Sequence, residues 1–186
     1  INMSVGEPDF MTPDHVKEAG KRAIDDNFSK YSPVPGYLSL RKAIANKLKR
    51  ENNLNYSASE VIVGTGGKQG VCNTILALVN PGDEVIIPAP YWVSYPQMVK
   101  LAGGEPVIVS AGIEQDFKVT ADQLKAAITS KTKLIILCSP SNPTGSVYTK
   151  EELEALAKIV LEHNDLFVLS DEIYEHINYI GCHASI

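Results

Sequence analysis

Three short segments of the sequence carry residue types that bind small molecules. The first is residues 64–70 (GTGGKQG), a glycine-rich turn between an apolar run and a helical pattern. A helix that begins in such a turn presents free backbone N–H groups, which suit a phosphate. The two common nucleotide fingerprints fail, because Ile62 and Gln69 stand where a P-loop needs glycine and Ser/Thr, and a dinucleotide motif needs glycine at position 69. The turn therefore indicates another kind of phosphate site, with an ordinary ligand-free turn as the alternative.

The second segment is a rigid loop at residues 139–145 (SPSNPTG), directly after the apolar run 133–138. Its two prolines restrict the residues before them, Ser139 and Asn142, to extended conformations. The side-chain amide of Asn142 is therefore held in place and can donate hydrogen bonds to a ligand. An ordinary Asn-Pro turn is the alternative.

The third segment, residues 170–174 (SDEIY), ends the apolar run 166–169. Asp171 places a carboxylate just past a buried strand, where it can be the fixed partner of a cation, and Tyr174 can present its hydroxyl to the same space. A helix N-cap by Ser170 or Asp171 is the alternative. The convergence of a phosphate turn, a rigid amide and a carboxylate–tyrosine pair is stronger than any one of these signals.

Alternating strands and helices must position these segments. Short runs rich in Val, Ile and Leu predict strands at residues 61–65, 84–88, 106–110, 133–139 and 166–170. Apolar residues spaced by three or four predict helices at residues 13–26, 39–51, 68–79, 93–101, 121–128 and 150–163. Thr149 and Glu152 form a capping box at the start of the last helix. Residues 1–5 form an apparent further strand.

The alternation between residues 61 and 170 favours a three-layer α/β/α fold with a mostly parallel sheet. Ligands of such sheets bind beyond the carboxyl ends of the strands, where all three candidate segments lie. Residues 1–60 differ, because they contain two predicted helices joined by a Pro-rich loop at residues 29–37 that is stiff rather than flexible. We therefore divide the chain into an N-terminal segment, residues 1–60, and an α/β domain, residues 61–186.

The composition limits the classes of function. The 186 residues include 17 Lys and Arg against 22 Asp and Glu, which gives a net charge of −5, and 44% are hydrophobic. This mixture is typical of a globular domain, and the absence of a Lys/Arg run argues against a nucleic-acid partner. No apolar run reaches the roughly 20 residues that span a bilayer, so we expect no membrane segment. Three widely spaced cysteines argue against a disulfide framework and favour the cytoplasm.

Two groups of residues have side chains that could form a metal site or act as nucleophiles, but the sequence favours neither role. His176, Cys182 and His183 do not have the spacing of a common zinc site, so we expect no metal centre. Cys72 and Cys138 lie within apolar runs and are interpreted as small packing residues rather than nucleophiles.

Together the candidate segments resemble the pyridoxal-phosphate (PLP) aminotransferases of fold type I, class I/II, especially the bacterial aspartate aminotransferase branch. The resemblance also rests on residues 4–10 (SVGEPDF), 30–33 (KYSP) and 88–95 (PAPYWVSY), and it covers essentially the whole chain. It implies an incomplete copy of the major domain of that fold. It also implies transamination between an amino acid and a 2-oxo acid, with pyridoxal 5'-phosphate as the cofactor.

The resemblance implies a role at the cofactor ring for four residues. Asp171 would hold the proton on the pyridine nitrogen, which must stay protonated because PLP acts as an electron sink. Asn142 and Tyr174 would donate hydrogen bonds to the ring hydroxyl group. Trp92 would stack on the ring, and core packing is the alternative for this residue. Trp92 and Asn142 would also contact the substrate.

The resemblance implies further roles at the phosphate and the substrate. The turn at Gly66 would hold the phosphate, chiefly through the amides of Gly67 and Lys68. Tyr31 would reach the phosphate in a neighbouring subunit, which requires a homodimer. Gly6 would meet the substrate α-carboxylate, where the lack of a Cβ permits close approach. The Lys68 side chain would contact the second carboxylate of acidic substrates, so aspartate or glutamate with a 2-oxo acid is the expected pair.

The resemblance also has a gap. The family's Schiff-base lysine belongs to a Ser-rich motif beyond the next strand, and neither that motif nor the downstream substrate-binding arginine occurs in these 186 residues. We therefore expect the chain to be a fragment of a longer enzyme and to be inactive alone. The alternatives are another fold type I PLP enzyme, such as a C–S lyase or a synthase, and a lysine-less PLP-binding or interaction module.

Overall fold

The structure is a computed structural model that describes residues 6–7 and 9–186, so the predicted strand at residues 1–5 lies outside the described residues. Its sheet consists of the strands β1 (Glu84–Ala89), β2 (Glu105–Ser110), β3 (Thr132–Cys138) and β4 (Phe167–Asp171). Neighbouring strands are parallel, and the order across the sheet is β2-β1-β3-β4. The predicted parallel sheet is confirmed.

The described residues contain six α-helices, close to their predicted bounds. They are α1 (Asp14–Asp25), α2 (Leu38–Asn52), α3 (Gly67–Leu78), α4 (Ser94–Leu101), α5 (Ala121–Ala127) and α6 (Lys150–Val160). The Thr149 amide donates to the Glu152 carboxylate at 2.7 Å and the Glu152 amide donates to Thr149 Oγ1 at 3.2 Å, so the predicted capping box is confirmed. None of the helices in this part of the chain is both long and apolar enough to cross a membrane.

Helices cover both faces of the sheet. Two core clusters lie on opposite sides of it, one formed with α3 and α4 and the other with α5 and α6. Along β1, Val85 and Ile87 belong to the first cluster and Ile86 to the second, and all three side chains are fully buried. Burial on both faces explains why the strands read as continuous apolar runs. The arrangement is the predicted three-layer α/β/α fold.

The predicted strand at residues 61–65 is wrong. The amide of Val63 donates to the Pro35 carbonyl at 3.1 Å, and residues 61–65 do not join the ladder of the sheet that the structure describes. The contact with the loop at residues 29–37 is close, since a Cβ on Gly36 would lie 2.8 Å from Val63 Cγ2. An apolar run predicts an extended segment, but a strand also needs a neighbouring strand whose backbone groups face it.

A pair of substitutions tests this assignment. Ile86→Ala should lower the free energy of unfolding by roughly 2–5 kcal/mol, because it leaves a cavity in the core. Ile62→Ala, in the segment outside the sheet, should change it by less than about 0.5 kcal/mol, because the Ile62 side chain is 77% exposed. Urea unfolding of the two variants and the parent measures both values. Equal losses would show that residues 61–65 pack as a buried strand.

Candidate active site

An open cleft of about 580 Å³ lies beyond the carboxyl ends of β3 and β4. The first turn of α3, the segment between β1 and α4, the loop after β3 and the residues after β4 form its walls. The predicted site residues that line it are Gly6, Gly67, Lys68, Trp92, Asn142, Asp171 and Tyr174. The volume lies within the range of small-molecule sites, about 300–1,000 Å³. The structure therefore brings the three candidate segments together, at the edge of the sheet where they were expected.

The turn before α3 is arranged as a donor site. Gly66 has a φ of +83°, a left-handed conformation that favours glycine, and α3 begins at the next residue. The amides of Gln69 and Gly70 donate to the Gly66 carbonyl at 3.2 and 3.4 Å. The amides of Gly67 and Lys68 stand at the helix N-terminus, where the backbone leaves N–H groups free and the helix dipole is positive. Gly66 shapes the turn without lining the cleft.

Gln69, which excludes both nucleotide fingerprints, closes this turn. Its side-chain oxygen accepts a hydrogen bond from the Thr65 amide. A Cβ on Gly64 would lie only 3.2 Å from the same oxygen, so the glycine leaves room for this bond. The Gln69 side chain thus stabilises the turn from within and leaves anion binding to the backbone amides of α3.

Asn142 and Tyr174 lie side by side in the cleft. Asn142 Nδ2 donates to the Tyr174 hydroxyl oxygen at 3.4 Å. The loop that carries Asn142 is closed by its own backbone, since the Ser141 amide donates to the Ser146 carbonyl and the Gly145 amide to the Ser141 carbonyl, each at 2.9 Å. Two neutral donors on a rigid support can therefore converge on one ligand oxygen.

Asp171 is the last residue of β4 and is half-buried in the cleft. Its Oδ2 accepts a hydrogen bond from the Tyr95 hydroxyl at 2.7 Å, and its Oδ1 accepts one from the Ile173 amide at 3.3 Å. Both donors are neutral, so the carboxylate keeps its charge for a cationic ligand. The alternative role of a helix N-cap is wrong, because no α-helix follows β4 in the described residues.

Three residues that line the cleft are not among the predicted ones: Tyr95, Cys138 and Ile173. Tyr95 is only 2% exposed, and its ring packs edge-on against Trp92 with the centroids 5.3 Å apart. Burial raises the pKa of the Tyr95 hydroxyl, so this group stays protonated and donates to Asp171. The sequence could have indicated Tyr95, because it lies one helical turn after Trp92 and a buried tyrosine hydroxyl usually has a hydrogen-bond partner.

Cys138, at the end of β3, borders the cleft as a thiol. Burial raises its pKa, and its Sγ donates to the Pro140 carbonyl at 3.4 Å. Because the thiolate is the nucleophilic form, a protonated thiol is a poor nucleophile. This agrees with the interpretation of Cys138 as a packing residue, although it is half-buried rather than fully buried.

A group of acidic residues and a histidine lies near β4. His183 Nε2 lies 2.8 Å from a Glu172 carboxylate oxygen, and with Glu175 these side chains place ligand atoms within 4.8 Å of one another. His176 and Cys182 are not members of this group. Lys47 forms an ion pair with Glu175 and balances part of the acidic charge. The expectation of no metal centre stays a prediction.

A known protein family covers nearly the whole chain. Residues 1–185 match the family described as aminotransferase class I and II. The chain belongs to this family. Membership confirms the resemblance found in the sequence, while the role of each site residue stays a prediction.

Similar proteins from this family carry aminotransferase names. The aspartate/prephenate aminotransferase of Cereibacter sphaeroides is 56% identical over 177 residues, which are 95% of this chain and 44% of that protein. The structure of aspartate aminotransferase from Thermus thermophilus with maleate matches with a TM-score of 0.95 at 50% identity, over 97% of this chain and 47% of that one. The aromatic aminotransferase of Pyrococcus horikoshii matches with a TM-score of 0.94 at 46% identity, over 97% and 49%. The chain thus spans less than half the length of each.

The cleft fits PLP, the cofactor that the aminotransferase family implies. The N-terminal amides of α3 suit its phosphate, and the Asn142–Tyr174 pair suits its ring hydroxyl group. The Asp171 carboxylate suits a protonated ring nitrogen, and Trp92 offers a flat apolar face to the ring. The phosphate, the ring hydroxyl group, the ring nitrogen and the ring face of the cofactor therefore each have a matching group among the described residues.

A matched pair of glycine substitutions tests the turn of the aminotransferase cleft. Gly66→Ala should lower the free energy of unfolding by roughly 1–2 kcal/mol, because a Cβ is strained at the left-handed φ of Gly66. Gly20→Ala, inside α1 where a Cβ would meet nothing within 4 Å, should raise it by up to about 1 kcal/mol. Urea unfolding measures both values. A stabilising effect of Gly66→Ala would show that the turn does not adopt this conformation.

Proposed function

We propose that the complete protein is a PLP-dependent aminotransferase that moves an amino group between an amino acid and a 2-oxo acid. The observation that carries this proposal is the Asp171 carboxylate, held by neutral donors in the same cleft as a helix N-terminus and the Asn142–Tyr174 pair. Family membership supports it. The names of the relatives favour transamination over the alternatives of a C–S lyase, a synthase or a binding module.

The cofactor-binding roles follow from the donor and acceptor groups of the cleft. PLP supplies an electron sink for the charge that develops at the α-carbon of the amino acid. Asp171 holds the proton on the pyridine nitrogen, since an anion beside that nitrogen favours its protonated form. Asn142 and Tyr174 donate to the ring oxygen and stabilise its ionised form. The amides of Gly67 and Lys68 hold the phosphate.

Trp92 and Gly6 shape the space for ring and substrate. The Trp92 ring is half-buried and is supported from the side by Tyr95, so its face is held in a fixed orientation. A flat face against the cofactor ring limits tilting. A Cβ on Gly6 would meet nothing within 4 Å, which leaves open space for a substrate carboxylate at the rim of the cleft.

Lys68 favours aspartate or glutamate as the amino-acid substrate. It is the one cationic residue among the described residues that line the cleft. Its Nζ lies 5.0 Å from the centroid of the Trp92 ring. A cation–π contact at an exposed site contributes only about 0.5–1 kcal/mol, so the flexible side chain can leave it for a substrate carboxylate.

We also propose a homodimeric enzyme in the cytoplasm. The Tyr31 side chain is fully exposed, so its hydroxyl is accessible to the phosphate site of a neighbouring subunit. Cys72, Cys138 and Cys182 are all free thiols, which is typical of proteins in a reducing compartment.

The activity of the complete protein tests the proposed function. Wild type should transaminate aspartate with 2-oxoglutarate faster than it does alanine or aromatic amino acids. Asp171→Asn should lower kcat on the order of a hundredfold or more, because a neutral amide does not stabilise the protonated ring nitrogen. A coupled assay for glutamate, the product that all these amino acids share with 2-oxoglutarate as acceptor, measures the rates, with the polypeptide of residues 1–186, which we expect to be inactive, as the background. Undiminished kcat in Asp171→Asn would refute the assigned role.

The proposed substrate preference is tested separately at Lys68. Lys68→Met should raise the KM for aspartate about tenfold, because a hydrogen bond to a charged group is lost while the backbone amide remains. The KM for alanine should not change. Lys100→Met, at an exposed position in α4, is the matched control. An equal rise of KM for aspartate and alanine would show that Lys68 does not contact the side-chain carboxylate of the substrate.

A further inference from the structure

Tyr95 connects two walls of the cleft. Its hydroxyl donates to Asp171 Oδ2 at 2.7 Å, a length typical of a strong hydrogen bond to a carboxylate. Its ring meets the Trp92 ring at 87°, with the centroids 5.3 Å apart. The side chain is 2% exposed, so it is fixed by the core on one side and touches the site on the other. One residue therefore contacts both the carboxylate and the aromatic face.

We propose that Tyr95 is a positioning residue that fixes the Asp171 carboxylate so that its charge reaches the nitrogen of the bound cofactor. The inference rests on the proposed function and adds a residue to the same site. Tyr95 acts through Asp171, and its task is to restrict the rotation of that side chain. The Ile173 amide, at 3.3 Å from Oδ1, holds the second carboxylate oxygen.

A neutral donor suits this task better than a cation does. Lysine or arginine in place of Tyr95 would also orient the carboxylate, but it would cancel the charge that the ring nitrogen needs. The tyrosine hydroxyl fixes the geometry and leaves the net charge of Asp171 unchanged. Burial raises the pKa of Tyr95, so the donor is not lost by ionisation at neutral pH.

Tyr148 is a matched tyrosine outside the cleft. It is 4% exposed, and its hydroxyl accepts a hydrogen bond from the Val119 amide at 2.7 Å. It belongs to the core cluster on the opposite face of the sheet, with α5 and α6. The two tyrosines are equally buried and each makes one short hydrogen bond. Only the partner of Tyr95 lies in the cleft.

The test uses the complete protein without cofactor and pyridoxamine 5'-phosphate as the probe, because this molecule binds without a covalent bond. Tyr95→Phe removes the hydroxyl and keeps the ring beside Trp92. It should weaken binding of the probe about tenfold, as expected for the loss of one hydrogen bond to a charged group. Tyr148→Phe should lower the melting temperature and leave the dissociation constant of the probe unchanged.

A double-mutant cycle separates positioning from general damage. In the Asp171→Asn background, Tyr95→Phe should cause no further loss of affinity, because the group through which Tyr95 acts has been neutralised.

NMR of the Tyr95 Cζ carbon gives a second measurement, which needs no variant at this position. Its signal should shift when the probe binds wild type, and should not shift with an analogue in which carbon replaces the ring nitrogen.

The outcomes distinguish this inference from the proposed function. Wild-type affinity in Tyr95→Phe, equal losses in both backgrounds, or the same Cζ shift with both probes would each overturn the positioning role alone. Wild type that neither binds the probe nor transaminates would overturn the proposed function and this inference with it. A tenfold loss of affinity for the probe when Tyr95→Phe is made in the wild type, and no loss when it is made in Asp171→Asn, would support the role of Tyr95.

Discussion

The burial of both faces of the parallel sheet is the constraint on which the site depends. Helices α3 and α4 cover one face and α5 and α6 the other, so the middles of the central strands β1 and β3 are closed to a ligand. Polar groups of these central strands can therefore reach a ligand where the strands end. The strands are parallel, and β3 and β4 end at the same edge, at Cys138 and Asp171. Segments far apart in the chain meet there because parallel strands bring their carboxyl ends to the same edge of the sheet.

The charges of the cleft are kept available by neutral hydrogen bonds. Asp171 and Lys68 both line the cleft, yet they form no ion pair with each other in the part of the chain that the structure describes. An ion pair would satisfy each charge internally and weaken the attraction for a ligand. Instead, a hydroxyl and a backbone amide orient the carboxylate, and a helix N-terminus supplies positive potential from peptide dipoles. The Asp171 carboxylate is therefore held in a fixed orientation, and the charges of Asp171 and Lys68 stay available for a ligand.

Local patterns predicted most of the fold, and long-range packing accounts for the failures. The capping box at Thr149 depends on residues three apart, so the sequence reveals it directly. Whether residues 61–65 form a strand depends on a neighbour, and the loop containing Pro35 occupies that position. Asp171, Asn142 and Tyr174 were predictable because each follows a strand or lies in a rigid loop. The Tyr95–Asp171 hydrogen bond was not, since it joins residues 76 apart in sequence through the packing of α4 on the sheet.

The proposed site separates groups held in place for the cofactor from an exposed group for the substrate, and this separation would let one fold serve several substrates. Relatives named for aspartate/prephenate and for aromatic amino acids match this chain over at least 95% of its length. A cofactor presents the same groups in every such enzyme, so the groups proposed to meet it are backbone amides or half-buried side chains that are held by other residues, as Asp171 is by Tyr95. The substrate side chain varies, and the residue proposed to meet it, Lys68, is exposed. Substrate preference can therefore change at such a position without disturbing the groups that hold the cofactor.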